Sequence, residues 1–234
     1  MKTGYYSLVY VVLSDGAIVF CFIPSLMLGR KSIRKTAAYS VLGIYWFLNG
    51  LDNFLEVFVS SRSGNPALRE FSLCNSLIQA PLLLLVYALA RQGRSRNALL
   101  FLTAIFVGGE SILIQEGARG NLLLILGSGA ALVILSSVIG LWEYLRKMEH
   151  SRFENSMVFI YGALLFYYGS RSIIYFFAHL RRSTAASISD SHLLHCTSLL
   201  LAAAVTCAGL WNYRVRKPRA AYWSPPPGYS SSSS

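Results

Sequence analysis

The chain has 234 residues, 54% hydrophobic and 13% charged, with a mean hydropathy of +0.49 and a net charge of +11. A soluble domain carries about 25% charged residues, so this composition excludes an ordinary water-soluble globule and calls for lipid as the solvent. The basic residues form short clusters between apolar runs, which suits contact with anionic headgroups and argues against nucleic acid as a partner.

Roughly 20 predominantly apolar residues cross a bilayer as a helix. The chain offers seven such runs, at about 5–28, 37–59, 71–90, 98–115, 122–145, 157–179 and 193–212. The first carries Asp15, is too long for a signal-peptide core and lacks an A-x-A cleavage pattern, so it is retained as a helix. The second places Asn49, Asp52, Asn53 and Glu56 along one helical face. The third contains Asn75 and Gln79 one turn apart, followed by Pro81. The fourth is the shortest and holds Glu110. Gly108-Gly109, Gly127-Ser-Gly129 and Ala202–Ala204 suggest close helix packing in the fourth, fifth and seventh. The sixth is rich in aromatics, with Tyr161, Tyr168 and Tyr175 spaced by seven beside Arg171. Residues 218–234 are Pro-rich and then Ser-rich, a composition that does not fold alone. The expected organisation is an all-α integral membrane domain over 1–217 with a disordered tail.

Charge bias sets the direction. Arg30, Lys31, Arg34, Lys35, Arg91, Arg94, Arg96, Arg146, Lys147 and Arg152 share one side with the tail residues Arg214, Arg216, Lys217 and Arg219. Lys2, Arg62, Arg69, Arg119, Arg181 and Arg182 lie on the other. Fourteen against six puts the N-terminus outside and the C-terminus in the cytoplasm, in a multi-pass protein of a plasma or inner membrane. Cys21, Cys74, Cys196 and Cys207 all fall within apolar runs and read as small buried hydrophobes.

Ionisable residues inside a span are costly, so each is a candidate for function. The candidate ligand or ion pocket comprises Asp15, Asp52, Glu56, Asn75, Gln79, Glu110, Tyr168, Arg171 and Tyr175. Counted from the span ends, Asp52, Glu56, Asn75, Glu110 and Arg171 fall in the outer half, and Asp15 lies near the middle. One outward-facing polar cavity would satisfy them together. Four carboxylates facing one interior cation suit a cation site or a proton-linked switch. The competing reading is structural: Arg171 clamps helices together and Glu56 reaches interfacial water. His192 and His195 beside Asp190 have the spacing of metal ligands, but no matching acid and serine motif accompanies them in the first two spans, and no metal site is expected. Nucleophile elbows, P-loops and dinucleotide fingerprints are absent from the sequence.

Ala80-Pro81-Leu82-Leu83-Leu84-Leu85 resembles the third-helix run beneath the chromophore of microbial rhodopsins. In that register Asn75 falls where the family often has its carboxylate counterion, and Tyr168 and Tyr175 are similar to its retinal-sandwiching aromatic pair. The family's retinal is held by a lysine in the seventh helix. The lysines here are Lys2, Lys31, Lys35, Lys147 and Lys217, none inside a span, so a retinal Schiff base within the bundle is excluded and no cofactor is expected. The resemblance implies a scaffold, with its pocket given to something else.

The sequence therefore reads as a non-enzymatic seven-helix receptor or sensor-like protein that binds a small ligand or cation from outside. Its short loops require a cytoplasmic or membrane protein partner for any output. A proton- or cation-linked transporter or channel component, or a structural subunit of a membrane complex, is the alternative.

Overall fold

The computed structural model of the chain describes residues 2–28, 36–56, 66–115, 121–180 and 185–215, with side chains over 11–28, 36–56, 70–112, 125–173 and 193–213. These residues form seven helices: α1 (Lys2–Leu28), α2 (Ala37–Leu55), α3 (Pro66–Ala90), α4 (Arg94–Gln115), α5 (Asn121–Leu145), α6 (Arg152–Leu180) and α7 (Ala185–Val215). Each matches one predicted span, and several run past the apolar stretch by a turn or more. Positions 57–59 of the second span and the tail 218–234 lie outside the described residues. Pro24 and Pro81 sit inside continuous helices. Among the described residues, α1, α3, α5 and α7 contain stretches long and apolar enough to cross a membrane, at Val11–Leu28, Glu70–Ala90, Ile125–Leu145 and Leu193–Tyr213.

Contacts between helices trace a closed ring in the order α1, α2, α3, α5, α6, α7 and back to α1. α4 lies outside it, packed on α3 with a smaller contact to α5. The connector Arg91–Gly93 is short, and Gly93 takes a φ of 67°, the left-handed conformation that ends a helix cheaply only at glycine. That sharp turn makes α3 and α4 neighbours.

Side-chain contacts give the directions. Phe22 meets Gly50 and Leu28 meets Gly43, so α1 and α2 are antiparallel. Along α3 and α5, Ala80 meets Gly129, Tyr87 meets Ser137 and Arg91 meets Glu143, so these two run parallel. α6 runs against both its partners: Tyr161 packs on Gly140 of α5, while Phe159 and Tyr167 reach Gly209 and His195 of α7.

Lipid is as apolar as a protein core, so helices in a membrane associate by close approach rather than by expelling water. Three glycines carry this. A Cβ at Gly129 would stand 2.9 Å from the Ala80 Cβ, one at Gly140 2.7 Å from the Tyr161 ring, and one at Gly209 2.7 Å from the Phe159 Cβ. Of the predicted packing glycines only Gly129 serves this role. Gly108, Gly109 and Gly127 have open space where a Cβ would be, because α4 and the start of α5 turn those positions away from neighbours. Ala202 and Ala203 are fully buried, as a small-residue seam requires.

Large apolar side chains such as Leu26, Phe101 and Leu135 are exposed, an outer surface suited to lipid. The cysteines divide. Cys21 and Cys196 are buried and Cys207 is half-buried, but Cys74 is exposed. An apolar run in a membrane helix places residues on lipid as readily as on protein, so apolar surroundings in sequence did not guarantee burial of Cys74.

Candidate functional site

The polar face of α2 separates into two kinds of residue. Asn49 and Asn53 return their amide hydrogens to their own helix, donating from Nδ2 to the carbonyls of Tyr45 at 3.0 Å and Asn49 at 2.8 Å. Asp52 instead faces across the bundle and accepts a hydrogen bond from Asn75 Nδ2 of α3 at 3.0 Å. One turn further along α3, Gln79 Oε1 accepts from Arg171 Nη1 of α6 at 3.3 Å. Arg171 is within electrostatic reach of Asp52. Three helices thereby place one carboxylate, one guanidinium and two amides in a single layer. Asn75 and Gln79 put that layer in the first half of the Glu70–Ala90 stretch.

Aromatic polar groups complete it. Tyr45 and Tyr168 are buried side by side near Arg171, with their hydroxyls facing each other short of a well-formed hydrogen bond. The Trp46 Nε1 and Asn75 Oδ1 are buried and unpartnered among the described residues. Buried polar groups are nearly always hydrogen-bonded, so these groups have hydrogen-bonding capacity left over among the described residues. Tyr167 lies tilted against His195 of α7 with centroids 5.8 Å apart and connects the layer to the fourth wall of the ring.

Five of the nine predicted pocket residues therefore gather: Asp52, Asn75, Gln79, Tyr168 and Arg171. Glu56 is exposed at the end of α2, in keeping with the interfacial reading. Glu110 is buried but sits on α4, outside the ring. Asp15 is half-buried on α1, and no polar contact to another described residue joins it to the layer. The side chains of Tyr175, His179, Asp190 and His192 lie outside the described residues. The aromatic face of α6 points inward: Tyr161, Tyr167 and Tyr168 are buried, and Tyr161 packs on Tyr87 with centroids 5.2 Å apart.

Tyr45 and Trp46 were not among the predicted residues. Tyr45 lies four and seven positions before Asn49 and Asp52, on the same face, and that spacing was the available signal.

A second polar region lies at the opposite end of the bundle, where α3 and α5 finish and α6 begins. Tyr87 Oη and Ser137 Oγ share a buried hydrogen bond of 2.7 Å. Arg91 Nη2 bridges to Glu143 at 3.0 Å, and Tyr144 Oη donates to Asn155 Oδ1 at 2.6 Å. Ser151 and Glu154 form a reciprocal N-terminal cap of α6: Ser151 N donates to the Glu154 carboxylate at 2.8 Å and Glu154 N to Ser151 Oγ at 3.2 Å. Lys147 also pairs with Glu154. The Lys147 ammonium, with the Ser151 N–H, holds the Glu154 carboxyl below its ordinary range. Arg91, Glu143, Tyr144, Lys147, Ser151 and Glu154 line a cleft of about 630 Å³.

Compared with known proteins, the chain matches no family model, no curated protein and no solved structure.

Proposed function

We propose that the chain is a seven-span membrane protein of receptor or sensor type, binding a small polar ligand or a cation in the Asp52–Arg171 layer from the outer side. Packing direction supports the seven spans. α3 and α5 run parallel, so a chain crossing in one must return through α4 before crossing in the other. α6 is antiparallel to both α5 and α7 and returns the chain in the same way. The start of α2 meets both ends that define the opposite face: Tyr39 rings lie 5.2 Å from Phe153 and 5.3 Å from Tyr213. The arginine- and lysine-rich loops at that end support a cytoplasmic placement, which leaves the polar layer in the outer half.

The observation that carries the reading is the layer itself. A carboxylate of α2 and a guanidinium of α6 each bond an amide of α3, near two buried tyrosine hydroxyls that face each other. A ligand carrying polar groups of both kinds would be bound by Asp52 and Arg171. The rhodopsin-like plan enters only as a scaffold. The absence of lysine from the spans leaves no Schiff-base linkage for a ligand there.

The test begins with purified full-length protein examined by mass spectrometry for co-purifying small molecules. The same protein is then reconstituted and assayed for ligand binding and for proton and cation flux. Specific binding without flux, lost in both Asp52→Asn and Arg171→Gln, is the expected result. Flux abolished by those changes would make the chain a transporter instead. Wild-type protein indistinguishable from empty membranes in both assays would contradict a site of either kind.

A further inference from the structure

The cleft at the arginine-rich end is separate from the proposed outer site and contains more charge than a helix junction needs. Its lining includes Arg91, Arg146 and Lys147 together with Glu143 and Glu154. Both carboxylates are already engaged, Glu143 by Arg91 and Glu154 by Lys147 and Ser151. Arg91 Nε is buried and has no hydrogen-bond partner among the described residues. Arg146 also lines the cleft and is exposed. Arg94, Arg96 and Arg152 flank it in sequence. The unspent capacity is that of donors and positive charge, which fits a phosphate.

Depth and the neighbouring surface narrow the source of that phosphate. The apolar stretches of α3 and α5 end at Ala90 and Leu145, so the cleft opens at the level of the headgroups. On the face of α5 turned away from the cleft, Val138, Trp142 and Leu145 are all exposed and spaced by three or four. An exposed tryptophan at this level is a typical interfacial anchor, and it marks the depth of the cleft. A basic polar cleft at headgroup depth matches the phosphate of a membrane lipid. A soluble phosphate would draw nothing from that depth.

We infer that this cleft binds the headgroup phosphate of an anionic phospholipid, with Arg91, Arg146 and Lys147 around the phosphate. Native mass spectrometry of the full chain, in detergent with equal amounts of dioleoyl phosphatidylglycerol and phosphatidylcholine, tests it. Wild-type protein should retain the anionic lipid about five-fold or more over phosphatidylcholine, and each cleft cation removed should lower that preference about five-fold. Arg146→Gln combined with Lys147→Gln, both at exposed positions, should therefore abolish the preference. Arg96→Gln, exposed and outside the cleft lining, should leave it within about two-fold. Equal retention of the two lipids by wild-type protein, or an unchanged preference in the double variant, would overturn the assignment. So would displacement of the lipid by equimolar glycerol 3-phosphate, which would make a soluble phosphate the ligand.

Discussion

The two polar regions of this bundle solve the problem of charge in a membrane differently. At the arginine-rich end, charge meets charge: Arg91 bridges Glu143, and Lys147 pairs with Glu154, where Glu143 and Lys147 are about half-exposed. In the layer toward the other end, Asp52 and Arg171 are half-buried, and each hydrogen-bonds an uncharged amide from α3. An exposed ion pair is self-contained and contributes little to stability. A half-buried charge that bonds a neutral amide depends on every neighbour that solvates it. The first arrangement ties helix ends together, and the second suits recognition.

The largest expected effect breaks the second arrangement. Arg171→Leu leaves Asp52 without its nearby cation and should lower stability by about 3 kcal/mol. The comparison substitution Arg146→Leu should change it by less than about 0.5 kcal/mol. Midpoints of unfolding in detergent mixtures read both, and equal effects would erase the distinction drawn between the two regions. Next in size is Gly140→Ala, whose new methyl would press on the Tyr161 ring. It should cost about 2 kcal/mol, and the additional change Tyr161→Leu should recover part of that. Tyr87→Phe removes the buried hydrogen bond to Ser137 and should cost about 1 kcal/mol in the same assay.

The smallest effect is a pH dependence. Glu154 has its carboxyl lowered in the folded state, so its stabilising contribution is present above the ordinary carboxylate range and is lost as pH falls through the depressed value. The difference in unfolding midpoint between wild type and Glu154→Gln should be visible near neutral pH and should shrink as the pH falls below about 4.

Much of the fold was legible because a membrane helix needs length and apolarity: each of the seven helices falls on one predicted run, and among the described residues α1, α3, α5 and α7 are long and apolar enough to cross. The ring order was not. Which helix faces which depends on fit, and Gly140 and Gly209 look no different in sequence from Gly108 and Gly127, which support no contact. The site was half legible. Polar residues at helical spacing pointed to Asp52, Asn75, Gln79 and Arg171. That spacing could not show that Asn49 and Asn53 would bond to their own backbone. Shared depth placed Glu110 with the others, because depth is read along a helix and says nothing of which side of the ring the helix occupies. Tyr45 and Trp46 stand in an apolar run where aromatic side chains are ordinary core, and only the hydroxyl and indole, buried short of a well-formed hydrogen bond, distinguish them.

Directional access to the layer tests the central claim most directly. In a Cys74→Ser background, Asp52→Cys is exposed in reconstituted vesicles to a membrane-impermeant thiol reagent added to one side at a time. Labelling from the outer side alone is the predicted result. Labelling only from the side of Arg91 and Arg146, or from neither side, would contradict an outward-facing site.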